Sequence, residues 1–455
     1  MTRLRHIRLT PRIDALWLLL LAAYILAGTP LVPFHGDEST QIYMSRDYAY
    51  QFIQRDLSLV RYSDPPISPA EQYLRLINGT VNKYLMGLAW QLGGFTLADI
   101  NEQWDWGADW NYNVNFGHKP SDDLLIAARW PSALLLALGV VPMFVLGRWI
   151  GGRPVGYLAS AYYALNPVLL MNGRRAMMEG SLIAFALLVV VIAIWWLHQR
   201  SVFRLTLGAI GLGIVAGLAL ASKHTNAFVV LTVFGTCAVF PLIAYASGDR
   251  SAPLLRSIGV RWAGLALASA QALSVFLLLN PAWWDDPLAR PEYVLELRTE
   301  LLTAQADGPE GYTSLEQQAD GFRAFALEAV PQYFEVVTWE NYIGAEIVRY
   351  EASPWTGVSI GGALIGSMIL LGLTIMGLFL LLRRPGIDLA ARWVIALWAV
   401  AMVATTLLLT PLAWQRYYLP VYPPIGLLAA LTIVTVPRVI RERRADQIEA
   451  TADAR

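Results

Sequence analysis

The chain is short of the residues that most soluble chemistries need. It has one cysteine, three lysines and five histidines in 455 residues, and only 15% of it is charged. Cys237 has no partner, so no intramolecular disulfide can form. The histidines, at 6, 35, 118, 198 and 224, show no metal-ligand spacing, and there is no CxxC, HExxH, Walker loop or GxSxG. Basic and acidic residues balance to a formal net charge of +0, which excludes the global basic field of a nucleic-acid binder. Soluble domains carry about 25% charged residues. This chain has too little polar surface to cover a water-soluble globule or to stay disordered.

What it has instead is apolar sequence in long blocks: 56% of residues are apolar and the mean hydropathy is +0.46. Crossing about 30 Å of hydrocarbon takes roughly 20 helical residues. Ten blocks fit, near 13–30, 128–147, 155–171, 180–197, 205–221, 226–246, 260–280, 359–382, 393–411 and 417–436. The first follows Arg3, Arg5, Arg8 and Arg12 and reads as a retained signal anchor, because Gly28-Thr29-Pro30 is a poor cleavage site. Basic turns then fall at Arg148/Arg153, Arg200/Arg204, Arg250/Arg256/Arg261 and Arg383/Arg384/Arg392, and the tail carries Arg438, Arg441, Arg443 and Arg444. The positive-inside rule puts these turns and both termini in the cytoplasm. The long connections, 31–126 and 281–358, fall outside, with twelve acids against six bases and fourteen against four. The expected fold is an all-α integral membrane bundle of about ten transmembrane helices with two long extracytoplasmic loops. Its parts are 1–30, loop 31–126, helices over 127–280, loop 281–358, helices over 359–436 and a cytoplasmic tail 437–455. Gly213 and Gly217 have the spacing of close helix packing.

Polar residues gather at the outer boundary. Asp37 and Glu38 follow the first span by a few residues, where a carboxylate can serve as a general base; a helix cap by Asp37 or Ser39 is the plainer alternative. Lys83 follows Asn78-Gly79-Thr80. Arg174 and Arg175 end the third span against the positive-inside trend, with Glu179 as a possible ion-pair partner. Lys223 closes the fifth span and Arg416 opens the last. Guanidinium and ammonium groups at membrane boundaries fit phosphate or lipid headgroups. Trp104, Trp106, Trp110 and Tyr112 read either as an interfacial belt or as a surface for stacking on sugar.

These residues resemble a known family. Asp37-Glu38, Asn78 to Lys83, Ala128-Arg129-Trp130-Pro131-Ser132-Ala133, Gly173-Arg174-Arg175-Ala176-Met177-Met178-Glu179, Gly217 to Lys223, Asn280-Pro281-Ala282-Trp283-Trp284-Asp285-Asp286-Pro287 and Arg416-Tyr417-Tyr418-Leu419-Pro420 stand in order from about 30 to 425. Together they resemble the dolichyl-phosphate-mannose–protein mannosyltransferases and the bacterial aminoarabinose lipid A transferases, which are C-type membrane glycosyltransferases. Of the family's His-Pro-Pro-Leu-Gly-Lys segment only the lysine end is present here. The resemblance implies inverting transfer of a sugar from a polyprenyl-phosphate-linked donor to a glycan, glycolipid or protein acceptor, at the outer face of the plasma membrane. It implies Asp37 as base with Glu38 assisting, and Lys83, Arg174, Lys223 and Arg416 as the donor phosphate site. Arg129, Arg175, Glu179, His35 and Tyr417 are supporting candidates. No cofactor is called for, and a divalent cation stays open. A polytopic transporter or lipid flippase is the alternative, and a non-catalytic scaffold subunit a third.

Overall fold

A computed structural model describes residues 12–250, 253–308, 311–328, 330–359 and 362–453. Arg3, Arg5 and Arg8 of the basic N-tail lie outside them. Helices are the regular secondary structure of the described residues, and one isolated bridge among them joins Gly311 to Leu412.

Helix α1 (Arg12–Ala27) leads into the first connecting segment, which holds α2 (Gly36–Met44), α3 (Pro69–Ile77) and α4 (Val81–Leu92). The bundle follows with α5 (Asp122–Leu138), α6 (Val140–Gly151), α7 (Arg153–Leu165), α8 (Pro167–Arg174), α9 (Glu179–Leu197), α10 (Val202–Ser222), α11 (Ala227–Ala246) and α12 (Leu254–Leu279). The second connecting segment carries α13 (Arg290–Ala306) and α14 (Glu340–Glu351). Then come α15 (Ala363–Arg383), α16 (Leu389–Leu409) and α17 (Tyr422–Asp453).

Nine helices among the described residues are long and apolar enough to cross a membrane. Nine of the expected spans coincide with them. The third, expected as one helix over 155–171, is instead broken into α7 and α8. Pro167 cannot donate to the helix ladder, and Asn166 caps α8 by accepting from the amides of Val168 and Leu169 at 3.0 and 3.1 Å. Neither piece is among the nine helices long and apolar enough to cross.

Helix α9 and the start of α17 are the most enclosed, with α10 and α12, α6 and α7, and α15 and α17 packed as pairs. A Cβ on Gly213 or Gly217 would collide with backbone oxygens of Ala268 or Ala272, so these glycines set the close approach of α10 to α12. Leu255, Leu273 and Leu278 on α12 and Ile365, Ile369 and Phe379 on α15 are exposed, as lipid-facing helices require.

The two connecting segments share one end of the bundle. The arginine-rich turns share the other, where Asp14 takes Arg153 at 3.1 Å and Arg148 at 3.6 Å. Arg261 at that end donates to the carbonyls of Trp196, Leu197 and Gln199 and closes the C-terminus of α9.

Candidate active site

The acidic motif sits on α2, and one residue of helical rotation separates its two carboxylates into different surroundings. His35 caps the helix: its Nδ1 accepts from the Asp37 amide at 3.1 Å, while its own amide donates to Glu38 Oε2 at 3.1 Å. Glu38 points inward and is fully buried. Arg129 donates to both its oxygens, at 2.7 and 2.8 Å, and the Ala176 amide donates to Oε1 at 2.7 Å. Burial would raise the Glu38 pKa, but Arg129, Arg175 and that amide hold it below the ordinary carboxylate range. Glu38 ties α2 to α5 and to the chain after α8, and has no place on a substrate-facing surface.

Asp37 stays on the rim, about a quarter exposed. Its Oδ2 pairs with Arg416 Nη1 and lies 3.8 Å from His35 Nδ1.

Asp37 opens onto a cleft of about 220 Å³, walled by seven stretches of chain. Thr40 and Gln41 continue from α2. Tyr73, Leu74, Ile77 and Asn78 come from α3 and its end, Gln103 and Trp106 from the rest of the first segment, and Met177, Met178 and Glu179 from the start of α9. Lys223 closes α10. Arg298, Leu301 and Gln305 hang from α13, and Trp414, Arg416 and Tyr417 precede α17. Lys223 Nζ binds Glu179 Oε1 at 2.9 Å and lies 5.8 Å from the Tyr417 ring centre. Arg416 covers Trp414 at 4.6 Å, and Trp414 stacks on Tyr417 at 5.9 Å and 7°.

Local packing fixes these positions. The Thr80 amide donates to the Ala221 carbonyl at 2.6 Å, and any Cβ on Gly79 would overlap the Ser222 carbonyl. This bare-backbone contact seats the first segment against the end of α10, next to Lys223. The first segment also meets the second through aromatic rings. Trp106 stacks on Trp339 at 5.7 Å and 11°, Trp110 stacks on Tyr342 at 4.9 Å and 9°, and Trp104 meets Trp339 at 5.6 Å. Gly36 lies beneath this cluster, where a Cβ would come within 2.7 Å of the Trp339 ring. His35 Nε2 adds a 2.5 Å contact to Glu335. Burial lowers the His35 pKa despite that neighbouring carboxylate. Trp104, Trp106 and Trp110 therefore form a joint between the two segments, and of these three Trp106 lines the cleft.

The structure brings together Asp37, Glu179, Lys223, Arg416 and Tyr417 from the residues expected from sequence. It places the others elsewhere. Lys83, expected at the donor phosphate, is buried beside Asp47, which Arg75 also grips through contacts of 2.7 to 3.0 Å. Arg174, expected at the same phosphate, is fully buried and spends its donors on carbonyls: Ile25 at 2.7 Å, Tyr24 at 2.8 Å and Trp355 at 2.6 Å, with the Tyr350 hydroxyl at 3.0 Å. It closes the C-terminus of α1, where helix carbonyls lack intrahelical partners. It does not pair with Glu179. Arg175 donates to Pro33 and Tyr333 carbonyls at 3.2 and 2.8 Å, and Arg129 is committed to Glu38. Sequence reasoning missed Gln41, Tyr73, Trp414 and Arg298. Gln41 had a signal, four residues after Asp37 and hence on the same helix face.

Among the described residues no group of three or more His, Cys, Asp or Glu converges to hold a metal ion.

With this geometry in place, comparison with known proteins is informative. The family model for dolichyl-phosphate-mannose-protein mannosyltransferase matches residues 77–285, which include Glu179 and Lys223. No curated protein matches by sequence. Among solved structures, the archaeal oligosaccharyltransferase AglB from Archaeoglobus fulgidus, in complex with an inhibitory peptide and a dolichol-phosphate, superposes with a TM-score of 0.51 and 12% identity. The match covers 96% of this chain and 52% of that one. ArnT from Cupriavidus metallidurans in the apo state gives 0.50 and 13%, over 97% and 63% of the two chains. The chain thus spans between half and two thirds of these longer proteins. Residues 77–285 carry the mannosyltransferase family's sequence pattern, and the described chain shares the fold of AglB and ArnT.

Proposed function

We propose that the protein transfers a sugar from a polyprenyl-phosphate-linked donor to a hydroxyl-bearing acceptor, with inversion, at the cleft beside Asp37. The observation that carries this reading is the meeting of one rim carboxylate with Lys223 and Arg416 in a single cleft, at the bundle end where both connecting segments lie. The family match over 77–285 supports it, as does the dolichol-phosphate held by the structurally similar AglB.

The chemistry assigns each group a task. The acceptor oxygen bonds to the anomeric carbon as the bond from that carbon to the phosphate oxygen breaks. The electron pair leaves with the polyprenyl phosphate, and the acceptor proton passes to Asp37. A base within hydrogen-bond reach contributes about 10²–10⁴-fold. Lys223 and Arg416 would balance the charge that grows on the departing phosphate, where preorganised cations act most strongly. Trp414 and Tyr417 supply flat faces for a sugar ring. Glu38 and Arg129 hold α2 so that Asp37 stays on the rim. The acceptor is a glycan, a glycolipid or a protein. The arginine-rich turns at the opposite end support an orientation with the cleft on the extracytoplasmic side of the plasma membrane.

Mass spectrometry of envelope glycans, glycolipids and glycoproteins with and without the gene tests this. A glycan species that vanishes with the gene, and returns with the wild-type chain but not with Asp37→Asn, is the expected result. An unchanged glycan profile would contradict it.

A further inference from the structure

The cleft holds three basic side chains and two carboxylates. Two of the bases are already engaged, Lys223 with Glu179 and Arg416 with Asp37. Arg298 is the third, and among the described residues it has no carboxylate partner and no hydrogen bond. Its electrostatic neighbours are the Tyr73 hydroxyl and the His224 ring. One positive charge is left over in the cleft, and it belongs to a guanidinium, whose planar fork matches phosphate oxygens.

Its placement follows from helical spacing. Val294 is buried, and Arg298, Leu301 and Gln305 line the cleft, so these four share the inward face of α13. Glu296 and Glu300 flank Arg298 by two residues and are exposed; Glu300 reaches the Tyr73 hydroxyl electrostatically, as Arg298 does, but forms no ion pair or hydrogen bond with Arg298 among the described residues. The start of α13 is pinned to the first segment by Arg290, which covers the Tyr62 ring at 3.7 Å, and by the Arg61–Asp285 ion pair. Arg298 is therefore held over the cleft by its helix.

The geometry points to Arg298 as the residue that captures the lipid carrier's phosphate, resting on the donor reading above. A phosphate can take the fork of this guanidinium without first displacing a carboxylate, whereas Lys223 and Arg416 must share theirs. Arg298 binds the phosphate before and after the glycosidic bond breaks, so its removal raises KM for the donor more than it lowers kcat. A helix surface arginine with no ligand would move neither.

The test measures binding of geranyl phosphate, geraniol and inorganic phosphate to the detergent-purified full chain, by native mass spectrometry or calorimetry. The unaltered protein should prefer geranyl phosphate to both others. Arg298→Ala should weaken geranyl phosphate about ten- to a hundredfold, as loss of a charge-assisted contact does, and leave geraniol unchanged. Arg298→Lys should recover part of the loss. If Arg298→Ala binds geranyl phosphate like the unaltered chain, this inference falls and the donor reading stands. If the unaltered chain does not distinguish geranyl phosphate from geraniol, both fall. Equal affinity for inorganic phosphate would overturn the assignment to a lipid-borne group.

Discussion

Adjacent acids on one helix offer a sharp test, because neutralising each should fail in a different way. Glu38 is fully buried and accepts four hydrogen bonds, two from Arg129 and one each from the amides of Ala176 and His35. Glu38→Gln keeps the shape but leaves the Arg129 guanidinium buried without its counter-charge. Breaking a buried pair from one side costs about 3–5 kcal/mol. Asp37→Asn acts on a rim side chain that is 24% exposed and whose partner Arg416 is 13% exposed, and a pair that water still reaches loses less than a fully buried one. Thermal unfolding in detergent should therefore fall steeply for Glu38→Gln and little for Asp37→Asn, while turnover per folded molecule should collapse only for Asp37→Asn. The pH dependence follows from the same geometry. Because the folded Glu38 pKa lies below its unfolded value of 4.5, its stabilisation is complete above that value and is lost as pH falls through the folded pKa. Glu38→Gln should remove that part of the acid sensitivity. An unfolding temperature equal to wild type in Glu38→Gln, with turnover down a hundredfold, would refute the division of roles.

Other perturbations probe the surrounding frame. Arg174→Ala should leave the Tyr24 and Ile25 carbonyls without their donor, at about 1–3 kcal/mol each. It should lower the unfolding temperature while geranyl phosphate affinity of the folded protein is unchanged. Asp47→Asn strands Lys83 and leaves Arg75 with Glu71 alone, so it should destabilise more than Lys83→Met, which leaves the Arg75–Asp47 pair; unfolding of the two variants side by side checks this. A reporter active only outside the cytoplasm should be active when fused after residue 300 and inactive after 250 or 445. The reverse pattern would place the cleft in the cytoplasm.

How much of this could be read from the chain depends on the range of each interaction. Hydropathy and arginine placement are local, and they located nine crossing helices. The break at Asn166-Pro167 escaped because a hydropathy window averages over one proline flanked by apolar residues. The family resemblance implies Asp37 as the base with Glu38 assisting, and only the capping of α2 by His35 shows that Glu38 turns fully inward. Arg174 stood out as an arginine on the unexpected side, a correct signal of something unusual. Its partners are α1 carbonyls some 150 positions earlier, which no spacing rule reveals. Arg298 was hidden for the opposite reason. With Glu296 and Glu300 close by in sequence it reads as one more solvated charge, and only the helix geometry of α13 separates it from them.

The most direct measurement is transfer by purified protein in lipid nanodiscs, given a polyprenyl-phosphate-linked sugar and the acceptor found in cells. The wild-type chain should release polyprenyl phosphate and form product with the anomeric configuration inverted. Asp37→Asn should slow this by about 10²–10⁴-fold while still binding geranyl phosphate. Near-normal turnover by Asp37→Asn, or product that retains the donor's configuration, would contradict a single displacement driven by this carboxylate.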